Sequence, residues 1–258
     1  MIIFSIESHS ALRIPIIPAD HPQASVWGRD DDVYAEEYSM NYLLNLNDLV
    51  FDVGANCGNW SKLALQIEPT LCLYLFEPLP QIFADKISKL SFSPHLYNFA
   101  FSNQVGKSAF YNQNFEMSPG SGFFLRPQLI HSIKIEVDTD TIDHFCSLHQ
   151  VDRIDYLKID TEGGELRVLQ GALNMLMSHQ ITTMQFEYGG CYLDAHTTLH
   201  QMMQLLTQAG YAVFRTSSHG LIHIDRWDNN SLEDYRYAIY VAVVQSVVPN
   251  YGLVQGLN

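Results

Sequence analysis

The sequence predicts an α/β fold built on a mostly parallel sheet, and three observations carry that expectation. Short apolar runs alternate with amphipathic stretches from about residue 49 to residue 209. One run, Leu49-Val50-Phe51-Asp52-Val53, passes directly into a turn in which Gly54 and Gly58 stand four residues apart. Two strand-like runs, Tyr211–Arg215 and Tyr237–Val244, end the pattern with no helix between them. Strands that are apolar throughout are buried on both faces, so helices must cover both sides of the sheet. A closing pair without a helix reads as an antiparallel hairpin.

Residues 1–45 read as an N-terminal extension. Pro15, Pro18 and Pro22 keep its first part out of regular helix. Asp30, Asp31 and Asp32 then open a helix over roughly 32–45, where acids suit the positive end of the helix dipole. The domain proper is expected over 46–248. Leu49–Val53 is its first strand and Asn59–Ile67 the following helix. Cys72–Phe76 is the second strand, stopped by Glu77-Pro78, and Pro80–Leu90 the next helix. Leu96–Ala100 is the third strand. Residues 103–138 interrupt the alternation with two extra strands, Ser108–Tyr111 and Ile133–Val137. Ile154–Ile159 is the fourth strand, followed by a helix over Glu162–Met177 whose Leu166, Leu169, Leu173 and Leu176 recur at helical steps. Thr182–Glu187 is the fifth strand, and Leu199–Ala209 a helix with Leu199, Met202, Met203 and Leu206 on its apolar face. Residues 249–258 read as a tail.

Composition narrows the function. Hydrophobic residues make up 47% of the 258 positions and charged residues 16%, which suits one large domain with a sizeable core. The net charge of −14 and the lack of a basic run argue against a nucleic-acid partner. Cys57, Cys72, Cys146 and Cys191 have neither zinc nor C-x-x-C spacing, so they read as reduced thiols, Cys57 as a packing thiol within the turn. The N-terminus lacks a basic region before its apolar stretch and no run is long enough to span a bilayer, so a cytoplasmic protein is expected.

The chemistry gathers at predicted strand ends. Asp52 ends the first strand, Glu77 the second, Asp160 the fourth and Glu187 the fifth. In a doubly wound sheet these positions form one rim, where ligands bind. Gly54 and Gly58 allow a tight turn and close approach of a ligand, and Asp52 can accept hydrogen bonds from a ligand ammonium or hydroxyl. The G-x-x-x-G spacing is not the dinucleotide fingerprint and lacks a P-loop Lys-Ser/Thr pair. A cofactor with little negative charge, such as S-adenosylmethionine, is the reading that remains. Glu77 is placed to bind both hydroxyls of a ribose, although an acid there also suits the start of the next helix. Asp160 is expected near the reacting centre, with capping of the following helix as the alternative. Glu187 could join it as a base or as an oxygen ligand for a divalent cation. Glu162 and Glu165 read as acids of a first helical turn.

Other features are less specific. His196 and His200, four apart, would share a helix face, but no acid completes a metal site. His219 and His223 precede the last strand, where substrate loops gather. The loop Met117–Phe124 is either a cover for the site or an ordinary hairpin connection. Tyr188 and Tyr192, after Glu187, are expected to form a pocket wall. Trp60 has no assigned ligand.

Several segments together resemble FkbM-type S-adenosylmethionine-dependent methyltransferases. Val50-Phe51-Asp52-Val53-Gly54-Ala55-Asn56-Cys57-Gly58 resembles their first motif, Phe76-Glu77-Pro78 their second, and Asn98-Phe99-Ala100-Phe101-Ser102 their third-strand segment. Tyr156-Leu157-Lys158-Ile159-Asp160-Thr161-Glu162-Gly163-Gly164-Glu165, with Val168-Leu169-Gln170-Gly171-Ala172, is similar to the longest family pattern. The resemblance covers about residues 45–190. It implies a Rossmann-like class I methyltransferase domain, with a mostly parallel seven-stranded sheet, a C-terminal antiparallel hairpin and an inserted β segment. It also implies that Asp52, Gly54, Asn56, Gly58, Glu77, Pro78, Ala100, Ser102 and Asp160 contact S-adenosyl-L-methionine. The implied reaction is methyl transfer to a hydroxyl of a small molecule, sugar or secondary metabolite, with Asp160 and Glu187 as catalytic candidates. A metal is possible but no motif supports one. Two other readings stand beside it: an NAD-dependent oxidoreductase, and a cofactor-binding module that acts through protein contacts.

Overall fold

A computed structural model of the chain describes residues 16–17, 29–92, 94–112, 120–127, 132–224 and 232–250. The prolines of the first segment, Met117-Ser118-Pro119 and the end of the tail lie outside the described residues.

In chain order the elements are β1 (Ile16–Ile17), α1 (Arg29–Leu43), β2 (Leu49–Val53), α2 (Asn59–Ile67), β3 (Cys72–Phe76) and α3 (Pro80–Asp85). Then come β4 (His95–Tyr97), β5 (Ala100–Phe101), β6 (Gly106–Asn112), β7 (Ile133–Asp140), α4 (Ile142–His149) and β8 (Ile154–Ile159). The chain continues through α5 (Glu165–Gln170), α6 (Leu173–Met177), β9 (Ile181–Tyr188), α7 (Cys191–Asp194) and α8 (Leu199–Gln208). It closes with β10 (Tyr211–Ser217), β11 (Gly220–His223) and β12 (Ala238–Val244).

The main sheet runs β1-β11-β10-β12-β9-β8-β2-β3-β4. From β4 to β9 every neighbouring pair is parallel, and β12 enters antiparallel between β9 and β10. This is a Rossmann-like class I methyltransferase arrangement with two strands added at one edge. The sheet therefore has nine strands rather than the expected seven. The additions are β11, which forms a hairpin with β10, and β1, which pairs parallel to β11. The N-terminal extension thus contributes a strand to this sheet and packs Ala35, Ser39, Met40 and Leu43 of α1 into its core.

Register decides what shares the rim. Val53 pairs with Phe76 and with Ile159, and Ile159 pairs with Phe186. These four residues form one row across β3, β2, β8 and β9. The residues that follow them, Gly54, Glu77, Asp160 and Glu187, therefore lie side by side at the carboxyl edge. Between β2 and β8 the chain order reverses, which is the switch point where such sheets bind ligands.

Alternation along the strands builds two cores. Phe51 and Val53 face the side covered by α4, α5, α6 and α8, whereas Val50 faces α1 and α2. Every residue of β8 and of β12 is buried, as strands covered on both faces require.

Several elements depart from the sequence expectation, among them the helix over Pro80–Leu90, which ends at Asp85. The third strand stops at Tyr97, and Ala100–Phe101 instead pairs with β7 in a separate sheet ordered β5-β7-β6. The expected helix over Glu162–Met177 starts at Glu165 and breaks at Gly171, where a Cβ would lie 2.1 Å from the Ser102 carbonyl oxygen. The backbone of Ser102 occupies the space that a continuous helix would need for a side chain. Helix α4 was not anticipated. Its signals are a Thr141 hydroxyl that accepts the His144 amide and the apolar set Ile142, Phe145 and Cys146.

Candidate active site

The glycine turn is shaped by the protein around it. Gly54 (φ +79°) and Gly58 (φ +71°) adopt left-handed conformations. A Cβ on Gly54 would sit 1.9 Å from the Asp160 carbonyl oxygen, and one on Gly58 would meet Leu90 at 2.9 Å. The Asp160 backbone thus requires glycine at 54, and the left-handed conformation favours it at 58. The Gly54 and Ala55 amides both donate to the Phe76 carbonyl at 3.0 Å, which folds the turn back over the end of β3.

Asp52 does not reach the rim. Its side chain is fully buried, faces α1 and α2, accepts the Ser61 hydroxyl at 2.6 Å and pairs with Lys158 at 3.0 Å. The expected contact with a ligand ammonium is thus replaced by an internal one, because Asp52 lies inside the strand on the helix-covered face. Lys158 also donates to the Gly54 carbonyl at 3.0 Å and lies 3.5 Å from Asp160. Burial would lower the Lys158 pKa, but the carboxylates of Asp52, Asp160 and Glu36 hold it above its usual value.

Glu77 is the acid at the end of β3, only 5% exposed. One of its oxygens accepts the Asn56 amide and the other the Leu79 amide, each at 2.9 Å. Burial pushes its pKa up to about 7 against the lowering effect of these amides. The carboxylate is therefore aimed by backbone from both the glycine turn and the start of α3.

Gly54, Asn56, Glu77, Pro78, Ala100, Asp160 and Glu187 come together around one cleft of about 200 Å³ that opens to solvent. Gly58 and Ser102 do not line it; Ser102 is buried and takes the Asp140 carbonyl through its amide. Sequence reasoning missed the aromatic wall. Phe99 and Phe101 come from the β4–β5 segment, and Phe110 and Phe123 from the inserted sheet and its loop. A phenylalanine in an edge sheet carries no signal of which cleft it will close.

The loop before β7 covers the cleft through Glu162. This carboxylate accepts the Gly120 amide at 3.0 Å and pairs with Arg126, so Gly120, Ser121 and Phe123 stand over the cavity. Glu165 is fully buried below. It accepts the Thr161 amide at 2.7 Å and the Thr161 hydroxyl at 2.9 Å, and burial raises its pKa to about 7. These two acids precede or open α5 as anchors of the Asp160–Gly164 turn.

Glu187 hydrogen-bonds to Asp160, and burial together with the Asp160 charge pushes its pKa well up. Tyr188 and Tyr192 form core rather than pocket wall, with 1% and 0% exposure. Their hydroxyls donate to Glu233 and to the Glu187 carbonyl. His196 lies in the turn between α7 and α8, so it does not share a helix with His200. His219 and His223 line neither this cleft nor the cavity beside it. Among the described residues, Glu162, Glu187 and Cys191 place ligating atoms within 4.8 Å of one another, but Glu162 is already engaged by Arg126 and the Gly120 amide. All four cysteines are unpaired, and Cys57 is a buried thiol.

Comparison with known proteins follows from this geometry. Among solved structures, the methyltransferase FkbM of Methylobacillus flagellatus is similar over 81% of this chain, with a TM-score of 0.50 and 15% identity. This chain spans 47% of that protein, about half its length. A methyltransferase from Streptococcus mutans, solved with S-adenosylhomocysteine, is 9% identical over 84% of this chain and 99% of its own, with a TM-score of 0.44. An rRNA methylase from Streptococcus thermophilus is 10% identical over 85% of this chain and 99% of its own, with a TM-score of 0.45. No curated protein matches the sequence. The methyltransferase FkbM domain profile matches residues 52–213, a segment that runs from the buried Asp52 through the whole rim to β10 and covers more than half of the chain. The protein belongs to the FkbM methyltransferase family.

Proposed function

We propose that the protein is an S-adenosylmethionine-dependent O-methyltransferase acting on a small-molecule or carbohydrate-like hydroxyl. The observation that carries this reading is the charge of the cleft. Glu77, Asp160, Glu162 and Glu187 line it, and no Lys or Arg does. Such a lining favours a cationic ligand and disfavours the pyrophosphate of a nicotinamide dinucleotide. The residues present fit S-adenosylmethionine. Glu77, aimed by two amides, would take the ribose hydroxyls, while Pro78, Ala100, Phe99 and Phe101 offer apolar walls for the base.

When bound, the cofactor would supply a methyl group carried on a positively charged sulfur, for transfer to an acceptor oxygen. The protein must hold the acceptor in line and take its proton. Asp160 sits where the rim of β8 meets that of β9, and Glu187 lies beside it at the end of β9. We assign Asp160 as the group that receives the hydroxyl proton and Glu187 as its partner. A chain with a net charge of −14 further supports an acceptor other than nucleic acid.

Calorimetry with S-adenosylhomocysteine and NAD tests the reading. The expected outcome is saturable binding of the first and none of the second. Binding of NAD alone would overturn it in favour of the oxidoreductase.

A further inference from the structure

A second cavity of about 230 Å³ lies beyond the Asp160–Glu187 pair, on the face of the sheet covered by α1 and α2. Asp160 and Glu187 line both cavities, so the two spaces meet at these carboxyl groups. Glu36 of α1, Asn59, Trp60 and Leu63 of α2, and Lys158, Gln185 and Ile239 of the sheet complete the second one with them and Tyr237. Its polar groups are largely tied. Gln185 donates to Glu36 at 2.5 Å and accepts the Tyr156 hydroxyl at 2.7 Å. Lys158 is held by Asp52, Asp160 and the Gly54 carbonyl.

Trp60 differs. Its ring lies 5.8 Å from Tyr156, and its indole nitrogen is buried with no hydrogen-bond partner among the described residues. Leaving a buried donor unpaired is unfavourable, and a ligand oxygen would offset that cost. The charge balance is equally telling. Glu36, Asp160 and Glu187 face the cavity against the single cation Lys158, which Asp52 already neutralises. No cation in the lining is left unpaired to bind an anion.

Displacement at carbon needs the incoming oxygen opposite the leaving sulfur. With the cofactor in the first cleft, the opposite side of the junction is the second cavity. We propose that this second cavity is the acceptor site, that it admits an uncharged hydroxyl-bearing group and excludes phosphorylated or carboxylated ones, and that Trp60 is its specificity-determining wall. The inference rests on the S-adenosylmethionine reading of the first cleft.

Fluorescence quenching tests it with no acceptor present. The tryptophans are Trp27, Trp60 and Trp227, so Trp27→Phe with Trp227→Phe leaves Trp60 as the sole indole of the full-length protein. Should that double variant misfold, the difference between the parent and Trp60→Phe gives the same signal. The protein is saturated with S-adenosylhomocysteine, as verified by calorimetry; absence of binding at that step is a failure of the cofactor reading, not of this one. Quenching of Trp60 by neutral acrylamide is expected to stay within about twofold of its value without S-adenosylhomocysteine. Iodide, scaled to its effect on free N-acetyltryptophanamide, is expected to quench at least fivefold less than acrylamide. The proposal is overturned if S-adenosylhomocysteine suppresses acrylamide quenching fivefold or more, because the cofactor then fills this cavity. It is equally overturned if iodide quenches as efficiently as acrylamide. Trp60→Phe should keep its affinity for S-adenosylhomocysteine within about twofold, and a tenfold loss counts against the assignment.

Discussion

Lys158 and Asp52 pair at 3.0 Å inside the protein, the lysine 4% and the aspartate 0% exposed, and the same ammonium reaches the Gly54 carbonyl. One buried cation thereby ties β8 to the turn that follows β2. Removing one partner leaves the other charge uncompensated, so Asp52→Ala should destabilise the fold by about 3–5 kcal/mol. The double variant Asp52→Ala/Lys158→Met should lose less than the two single variants added together. Urea unfolding of all four proteins measures this, and strict additivity would refute the coupling.

Glu77 is the one rim carboxylate whose two oxygens are both held by backbone amides, those of Asn56 and Leu79. Glu77→Gln keeps the shape and removes the charge. Affinity for S-adenosylhomocysteine should fall at least tenfold in calorimetry, with the melting temperature shifted by only a few degrees. Unchanged affinity would dissociate Glu77 from the cofactor.

Glu77 and Glu165 also set a pH dependence, since burial raises each to about 7 from an ordinary 4.5. Between those values the folded state holds protons that the unfolded state has released, so stability falls as pH rises through the window. Below 4.5 both states are protonated, and the stabilising contribution is fully present. Each group should account for about 1–3 kcal/mol of loss between pH 4.5 and pH 7. In Glu165→Gln the unfolding midpoint should change less with pH over that interval than in the parent. An identical slope would rule out Glu165 as a source.

Two glycines separate crowding from backbone strain. Both Gly54 and Gly106 have positive φ, but a Cβ on Gly54 would meet the Asp160 carbonyl at 1.9 Å, whereas one on Gly106 meets nothing within 4 Å. Gly106→Ala should cost only the strain, about 1–3 kcal/mol. Gly54→Ala adds a backbone clash and should melt well below it. Equal melting temperatures would show that the turn can move away from β8.

Asp160→Asn should lower turnover at least tenfold more than it lowers affinity for S-adenosylhomocysteine, because the proton-receiving group changes while the cleft keeps its shape. Turnover is read as S-adenosylhomocysteine formed with a neutral hydroxylated acceptor. Turnover equal to the parent's would leave Asp160 a structural role in its turn.

Much of the frame was legible in the chain. Apolar runs ending in Asp52, Glu77, Asp160 and Glu187 announced parallel strands and their common edge, because burial on both faces leaves a composition that no exposed segment shares. Asn59–Ile67 and Cys72–Phe76 were readable to the residue, since a glycine turn bounds one and a proline follows soon after the other. The break at Gly171 was not readable, because it answers a carbonyl at Ser102, 69 positions earlier in the chain. Helix α4 was legible in principle from Thr141 and its apolar spacing, and only the surrounding irregular segment obscured it.

The sequence by itself determined the alternation of strands and helices, the acidic rim and the family resemblance, because these depend on local periodicity and on residues close together in the chain. Tertiary structure alone decided which acids face the cleft. Asp52 is one residue earlier than Val53, and the pleat turns it away from the cleft toward Lys158. Strand register brought Glu77, Asp160 and Glu187 into one row, and α1 delivered Glu36 to Gln185 from 149 residues away. Contacts over such separations are set by packing, where every side chain competes for the same space, and no local pattern records the outcome.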